Sequence, residues 1–487
     1  MNFVDKDLFA VQEARIRMEE AKEAAKVLCL FDQEKLDQIL SNMLKTVRLN
    51  LEELSRMAVL ETGYGRWQDQ YEKAWALCEG LENNLDDLKC VGILRKNTSE
   101  GTMEIGVPRG VIASVCPAVN PVMYVLNMLL LAVKTGNAVI LVPHKRAVRT
   151  TIHTAEILQQ AAQEAGFPEG AISWIQTPDP EGTKELFRSP IISLLVVTEV
   201  PDVLKQLKLA DKPVICGGIA PSPVFIERTA DVKKAAEDIV LSRSFDCGIS
   251  AASEQYLVVD SQVAEEAKME LMRNGAWFMN EEEERKLIEL LGIRYGNVDE
   301  ECIGKSAYWL ASKAGFSVLE DTRILVSSQP YISGFNPYAK ALLCPVLAFY
   351  IEEDWVHACE KCMNLLVEES CGNTLAIHSQ DEEIIRQFVL KKPVGRILIN
   401  TPASLGAMGI TANLFPSATL GSASAGQGMI ADNLSPRDLI YIRKAAFGVR
   451  EFELKTNKNR ESDTESDETS DTLTLLKLIM EQLTERS

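Results

Sequence analysis

With 487 residues and a formal net charge of −19, the chain is long enough for two or three domains with buried cores, and too acidic to favour nucleic acid or an anionic membrane as partner. A hydrophobic share of 46% beside a charged share of 25% is that of a globular protein in water. Eleven scattered cysteines predict reduced thiols in a cytoplasmic setting rather than a disulfide framework. The polar stretch Met1–Arg17 carries no signal-peptide pattern.

Gln12–Met43 has helical period, with charged faces and Ala and Leu repeats. Leu51–Glu61 continues in the same style, and Gly63 is placed to end that helix as its C-cap. Val91–Pro108 alternates as a hairpin around Ser99, Glu100 and Gly101. Arg109–Asn120, RGVIASVCPAVN, is a strand running into a loop. The apolar run Pro121–Val133 is interrupted by Asn127, and predicts a buried helix rather than a membrane span. After a turn at Gly136 comes a buried parallel strand, AVILV. Pro143 and His144 stand at its carboxyl end, where α/β sheets bind ligands. Thr151–Gly166 is an amphipathic helix, and Ile192–Thr198 a second buried strand that runs into Glu199, Val200 and Pro201.

YLVVD, Tyr256–Asp260, is a further strand, and the charge run Glu281–Lys286 a solvated helix face. Asp354–Leu366 carries His357, Cys359 and Cys362, with Cys371 beyond. One C-x-x-C lacks the second knuckle of a structural zinc site. Helical period puts both thiols on one buried face, so no metal site is expected. Residues 451–470 form an acidic linker without a core, expected to be disordered. Asp471 is placed to cap a last helix over 471–487, whose apolar stripe is Leu476, Ile479, Met480 and Leu483, widened by Leu473 and Leu475.

The stretch Leu241–Gln255, LSRSFDCGISAASEQ, resembles the active-site segment of the CoA-acylating aldehyde dehydrogenases, F-D-N-G-x-x-C-A-S-E-Q. Phe245, Asp246, Gly248, Ala252, Ser253, Glu254 and Gln255 match. Further similarity in GVIASVCPAVN, in NTPASLGAMG and PSATLG, and in NLSPRDLIYIRKAA extends the resemblance over residues 12–450. It implies the α/β aldehyde dehydrogenase fold. A Rossmann-like nucleotide-binding domain would occupy 1–225 and a catalytic α/β domain 226–404. The hairpin 91–108 and the return segment 405–450 would contribute to a β flap for dimerisation. It also implies a reaction: a cysteine thiolate adds to an aldehyde, hydride leaves to NAD, and CoA takes the acyl group from the resulting thioester. Asn120 matches the asparagine whose amide helps to form the oxyanion hole; read without the resemblance it is a turn residue before Pro121. Pro143, His144, Thr198 and Gly218 fall at cofactor-binding positions.

The chain departs from that pattern at its chemical positions. Ala251 holds the nucleophile's place, and the segment's own cysteine, Cys247, stands four residues early. Where the family has T-G-G-P beside the cofactor's phosphates, this chain has Thr198, Glu199, Val200 and Pro201. Ala341 stands for the glutamate that would hold the nicotinamide ribose, and Asn373 for a histidine. The expectation is an impaired paralogue, a pseudoenzyme with a structural or regulatory role, assembled as a homodimer or as a hetero-oligomer with an active relative. The alternative is an active acylating dehydrogenase that uses Cys247; under either reading this thiol, on the active-site loop, is expected to be moderately accessible to iodoacetamide, with ordinary reactivity. The end of the chain resembles the encapsulation tags of microcompartment enzymes. Residues 471–487 are thus expected to bind a shell protein, which would place the chain in the cytoplasm within a bacterial microcompartment.

Overall fold

The computed structural model describes residues 5–200, 203, 207, 210–218, 221–292, 298–333, 336–366, 373–426, 428–451 and 474–478. The chain divides into two compact units, Met1–Leu94 with Glu104–Arg443, and Arg95–Met103 with Lys444–Ser487.

The first unit opens with helices α1 (Lys6–Leu28) and α2 (Gln33–Arg48) in place of the single helical stretch that the periodicity suggests. Asp32 makes the break: its carboxylate accepts from the Lys35 N–H and caps α2. Helix α3 (Leu51–Thr62) ends on Gly63, whose φ of 74° places it in the left-handed region that the cap needs. Helix α4 (Trp67–Leu85) follows, then strands β1 (Gly92–Asn97) and β2 (Thr102–Pro108) of the expected hairpin.

The next elements alternate strand and helix: β3 (Val111–Val115), α5 (Pro121–Lys134), β4 (Ala138–Val142), α6 (Val148–Glu164), β5 (Ile172–Trp174), α7 (Pro180–Arg188), β6 (Ile192–Thr198) and β7 (Val214–Gly217). Their strands form a parallel sheet in the order β5-β4-β3-β6-β7. Every residue of β3 and β4 is buried, which explains the unbroken apolar runs. Helix α5 is buried at every position, with α2, α4 and α6 packed against it. From β3 the chain builds outward to β4 and β5, then returns to lay β6 on the other side of β3. The topological switch point therefore lies between β3 and β6.

A second parallel sheet follows from β8 (Ser222–Ile226), helix α8 (Val232–Ser244), β9 (Glu254–Asp260), α9 (Ala264–Arg273), β10 (Ala276–Phe278), α10 (Glu281–Leu290), α11 (Ala307–Ala314), β11 (Ile324–Ser328), β12 (Val346–Glu352), α12 (Trp355–Asn364), β13 (Thr374–His378), α13 (Glu382–Lys391), β14 (Arg396–Ile399) and α14 (Ala403–Ala407). Its order is β10-β11-β12-β9-β8-β13-β14. In α10 the charge run is only partly a solvated face, because Glu284 Oε1 accepts from Ser327, Gln329 and Tyr338. In α12 Cys362 is buried while Cys359 is half-buried and takes a hydrogen bond from Lys392. Among the described residues no three His, Cys, Asp or Glu side chains gather as a metal site.

Strand β15 (Ile440–Ala446) completes a three-stranded sheet in the order β1-β2-β15. Within the second unit the Phe447 N–H donates to the Gly101 carbonyl at 2.8 Å. Among the described residues no helix is long and apolar enough to cross a membrane. Of the tail, residues 474–478 are helical, with Leu475, Leu476 and Leu478 exposed. Leu473, Ile479, Met480 and Leu483, and the linker after Glu451, lie outside the described residues.

Candidate active site

The segment between α8 and β9 runs through the left-handed region at four residues: Asp246 (φ 49°), Cys247 (φ 54°), Gly248 (φ 75°) and Ala252 (φ 61°). Glycine takes such angles freely and Asp or Asn at modest cost, whereas Cys247 and Ala252 there cost about 1–3 kcal/mol each unless their surroundings hold them. The surroundings are a buried ionic cluster. Lys73 of α4 donates to Asp246 Oδ2 at 2.6 Å, to Asn120 Oδ1 at 2.5 Å and to Ser250 Oγ at 3.2 Å, which uses all three ammonium donors. Asp246 Oδ1 accepts from the Arg66 N–H at 2.7 Å, and the Asp246 N–H donates to Asp69 Oδ2 at 2.7 Å. Lys73 and Asp246 are wholly buried at their side chains. Burial raises the Asp246 carboxyl, and the Lys73 ammonium draws it back down.

Two glycines let the cluster close. A β-carbon on Gly65 would stand 1.9 Å from Asp246 Oδ1, and one on Gly248 would stand 2.7 Å from the carbonyl carbon of Cys344. Downstream, Gln255 secures the neighbouring loop. Its amide donates to the carbonyls of Tyr338 at 2.6 Å and Lys340 at 2.8 Å, and its oxygen accepts from the Leu342 N–H at 2.9 Å. Burial pushes Glu254 up to about 7, and one of its oxygens accepts from the Ala403 N–H at 2.8 Å.

At the switch point, Asn120 stands at the N-terminal boundary of α5 with a φ of 50° and no side-chain capping bond. An ammonium can only donate, so the amide oxygen is the atom turned to Lys73. Nδ2 is thereby left as the side chain's donor, and the residue lines a small cavity together with Pro117, Tyr124, Glu199 and Ala251. The room in it for the centre of a water molecule is ≈ 20 Å³, enough for about one water.

The structure thus brings Asn120 and Ala251 to one cavity. Among its described lining residues there is no cysteine. Cys247 is buried at 6% exposure, which corrects the expected accessibility. Burial, reinforced by the neighbouring Asp246 carboxylate, pushes its thiol up to about 12. On the folded protein iodoacetamide should therefore modify exposed Cys29 and leave Cys247 untouched until urea unfolds the chain, as read by mass spectrometry of the peptides. Rapid native labelling of Cys247 would contradict this burial.

Thr198 is buried, with its hydroxyl 3.1 Å from that of Thr419. Gly218 is tied into the scaffold: its N–H donates to Ser422 Oγ at 2.8 Å, and its carbonyl accepts from Asn373 Nδ2 at 3.1 Å. Pro143 and His144 follow β4 and are not among the described residues lining this cavity, and burial lowers the pKa of the His144 ring. Sequence reasoning missed Lys73, Asp69 and Tyr124. A signal for Lys73 existed: it shares the buried face of α4 with Leu77, Leu81 and Leu85, at four-residue spacing.

Two parallel sheets, with an amide donor at the switch point of one and a strained loop leading into the other, define a two-sheet α/β scaffold with its cavity at the carboxyl ends of the strands. Residues 8–276 match the aldehyde dehydrogenase family. The chain is 34% identical over 441 residues to the bifunctional aldehyde-alcohol dehydrogenase AdhE of Escherichia coli (strain K12), covering 90% of this chain and 49% of that protein. It spans about half the length of this and other aldehyde-alcohol dehydrogenases that it matches. Among solved structures it resembles an acetylating aldehyde dehydrogenase from Geobacillus thermoglucosidasius at 36% identity and a TM-score of 0.89, covering 93% of this chain and 100% of that one. It also resembles a propionaldehyde dehydrogenase from the fucose utilisation bacterial microcompartment of Clostridium phytofermentans, at 25% identity and a TM-score of 0.80, over 88% and 96% of the two chains. The chain belongs to the aldehyde dehydrogenase family.

Proposed function

We propose that this chain is a catalytically impaired acylating aldehyde dehydrogenase, retained for a structural or regulatory role in a homodimer or in an oligomer with an active relative. The cavity beside Asn120 carries this reading, because its wall offers the methyl group of Ala251 where the acylating reaction needs a thiolate. A methyl group forms no adduct with an aldehyde, so no thioester arises for CoA to accept. Loss of such a nucleophile typically costs on the order of 10⁶ in turnover. Cys247 is a poor replacement: it is buried and its thiol is held at about 12.

The residues present do not fit NAD in the pose that the fold would give it. A carboxylic acid, Glu199, stands at the carboxyl end of β6, and its own N–H is committed to the Gly217 carbonyl at 2.8 Å. Purified protein incubated with short aldehydes, CoA and NAD should yield no NADH above background. Robust turnover that disappears in Cys247→Ser would establish an active dehydrogenase built on Cys247 instead.

Residues 471–487 are proposed to be an encapsulation helix that binds a microcompartment shell protein, which places the protein in the cytoplasm within such a compartment. The similarity to a propionaldehyde dehydrogenase from a microcompartment supports this, as do the exposed Leu475, Leu476 and Leu478. An amphipathic segment this short is marginal alone and gains stability from a partner. Fused to a fluorescent reporter in a host that makes microcompartments, 471–487 should give puncta, and Leu476→Glu with Ile479→Glu should disperse them. Diffuse signal from the unaltered segment would rule targeting out.

A further inference from the structure

In an open parallel sheet the ligand crevice lies outside the carboxyl ends of the strands, where the order of connection reverses. Here that place is set by β3 and β6. The loop after β3 contributes Pro117 and Asn120 to the cavity, and the residue after β6 contributes Glu199. Glu199 is one of seven described non-glycine residues with positive φ, at 57°. This conformation suits glycine, so a glutamate here is strained and is held in place by its surroundings. Part of the residue's surface remains open, and it lines the cavity. Its carboxyl group is crowded by protein: burial pushes it up to about 8, with Lys73 as the cation that opposes the rise.

We propose that Glu199 is a built-in plug, its carboxyl group filling the switch-point crevice so that a dinucleotide is excluded. Two effects act together. A nicotinamide ring does not fit in space for about one water. A pyrophosphate brought to the carboxyl end of β6 would also be repelled once that carboxyl, held at about 8, ionises as pH rises through this value, because like charges in a partly desolvated site repel strongly. Exclusion is thus encoded in one side chain rather than in the backbone of the sheet, and it is separate from the missing nucleophile. The Asn120 donor and the Ala251 methyl group belong to other parts of the cavity wall.

The test is a calorimetric titration of the full chain with NAD itself. Glu199→Gly is expected to bind at least about tenfold more tightly than the unaltered chain, and Glu199→Gln, which keeps the volume but cannot ionise, to fall between them at about pH 9, where the Glu199 carboxyl is charged. Glycine adopts the observed φ freely, so Glu199→Gly should melt at or above the temperature of the unaltered chain, and a melting curve makes that check. NAD binding by the unaltered chain as tight as by Glu199→Gly would overturn the proposal, and so would a well-folded Glu199→Gly with no gain. The inference rests on reading this site as one that does not turn aldehyde over. CoA-dependent turnover by the unaltered chain would sink that reading, whereas NAD binding by the unaltered chain as tight as by Glu199→Gly, without turnover, would sink the plug alone.

Discussion

Ala251→Cys, introduced alone, is expected to leave CoA-dependent NADH production at background, and Ala251→Cys with Glu199→Gly to raise it at least about a hundredfold above the single variant. The single change restores a thiol to a cavity that already offers the Asn120 amide as a donor. It does not restore a path for hydride, because Glu199 still occupies the crevice. An acid beside a new thiol also disfavours the thiolate whenever that acid is ionised. Removing Glu199 addresses both defects, so the two substitutions should act more than additively. Ala341 stays unchanged in the double variant, and rates short of those of active relatives are expected for that reason. NADH absorbance in the presence of aldehyde, CoA and NAD is the readout. High rates from Ala251→Cys alone would mean that Glu199 leaves the cofactor's path open. No gain in the double variant would mean that the scaffold has lost more than these two groups.

Much of the fold was legible because burial leaves a simple mark on sequence. The runs AVILV and ISLLVVT read as buried parallel strands, and they are β4 and β6. The motif around Gln255 was legible as a string of letters, but the reasons for its letters were not. Asp246 is needed by Lys73, which lies 173 residues earlier in the chain. Gly248 is needed because the backbone at Cys344 passes where a side chain would be. Gln255 is needed by the carbonyls of Tyr338 and Lys340. Contacts between distant segments write nothing into local periodicity. The misjudged accessibility of Cys247 has the same origin: proximity to an active-site motif says nothing about which face of a loop is packed. The break between α1 and α2 is a different kind of miss. Asp32 is an ordinary capping residue in a stretch whose period runs on around it, and its cap decided the matter.

Lys73→Met is expected to lower the stability of the folded chain by about 3–5 kcal/mol in urea denaturation. A buried ion pair adds little net stability over a well-packed apolar pair, but removing one member leaves the other charge without compensation. Here the survivor is Asp246, wholly buried, with the Arg66 N–H at 2.7 Å as its remaining donor at Oδ1. The loss should depend on pH. In the variant burial acts on Asp246 without the ammonium that opposes it, so the folded-state pKa rises further above that of the unfolded chain. A raised folded value gives stability that is full below the unfolded pKa and lost as pH rises through the folded one. The penalty should therefore be smaller at about pH 5, where Asp246 can protonate, than at about pH 8. Lys73→Met with Asp246→Asn should recover about 1–3 kcal/mol at the higher pH, because asparagine tolerates the φ of 49° and carries no charge. Equal losses at both pH values, with no recovery in the double variant, would show that Lys73 supports the site by packing alone. The strained loop at Asp246 and Cys247 would then be held by Asp69 and Arg66 without the ion pair.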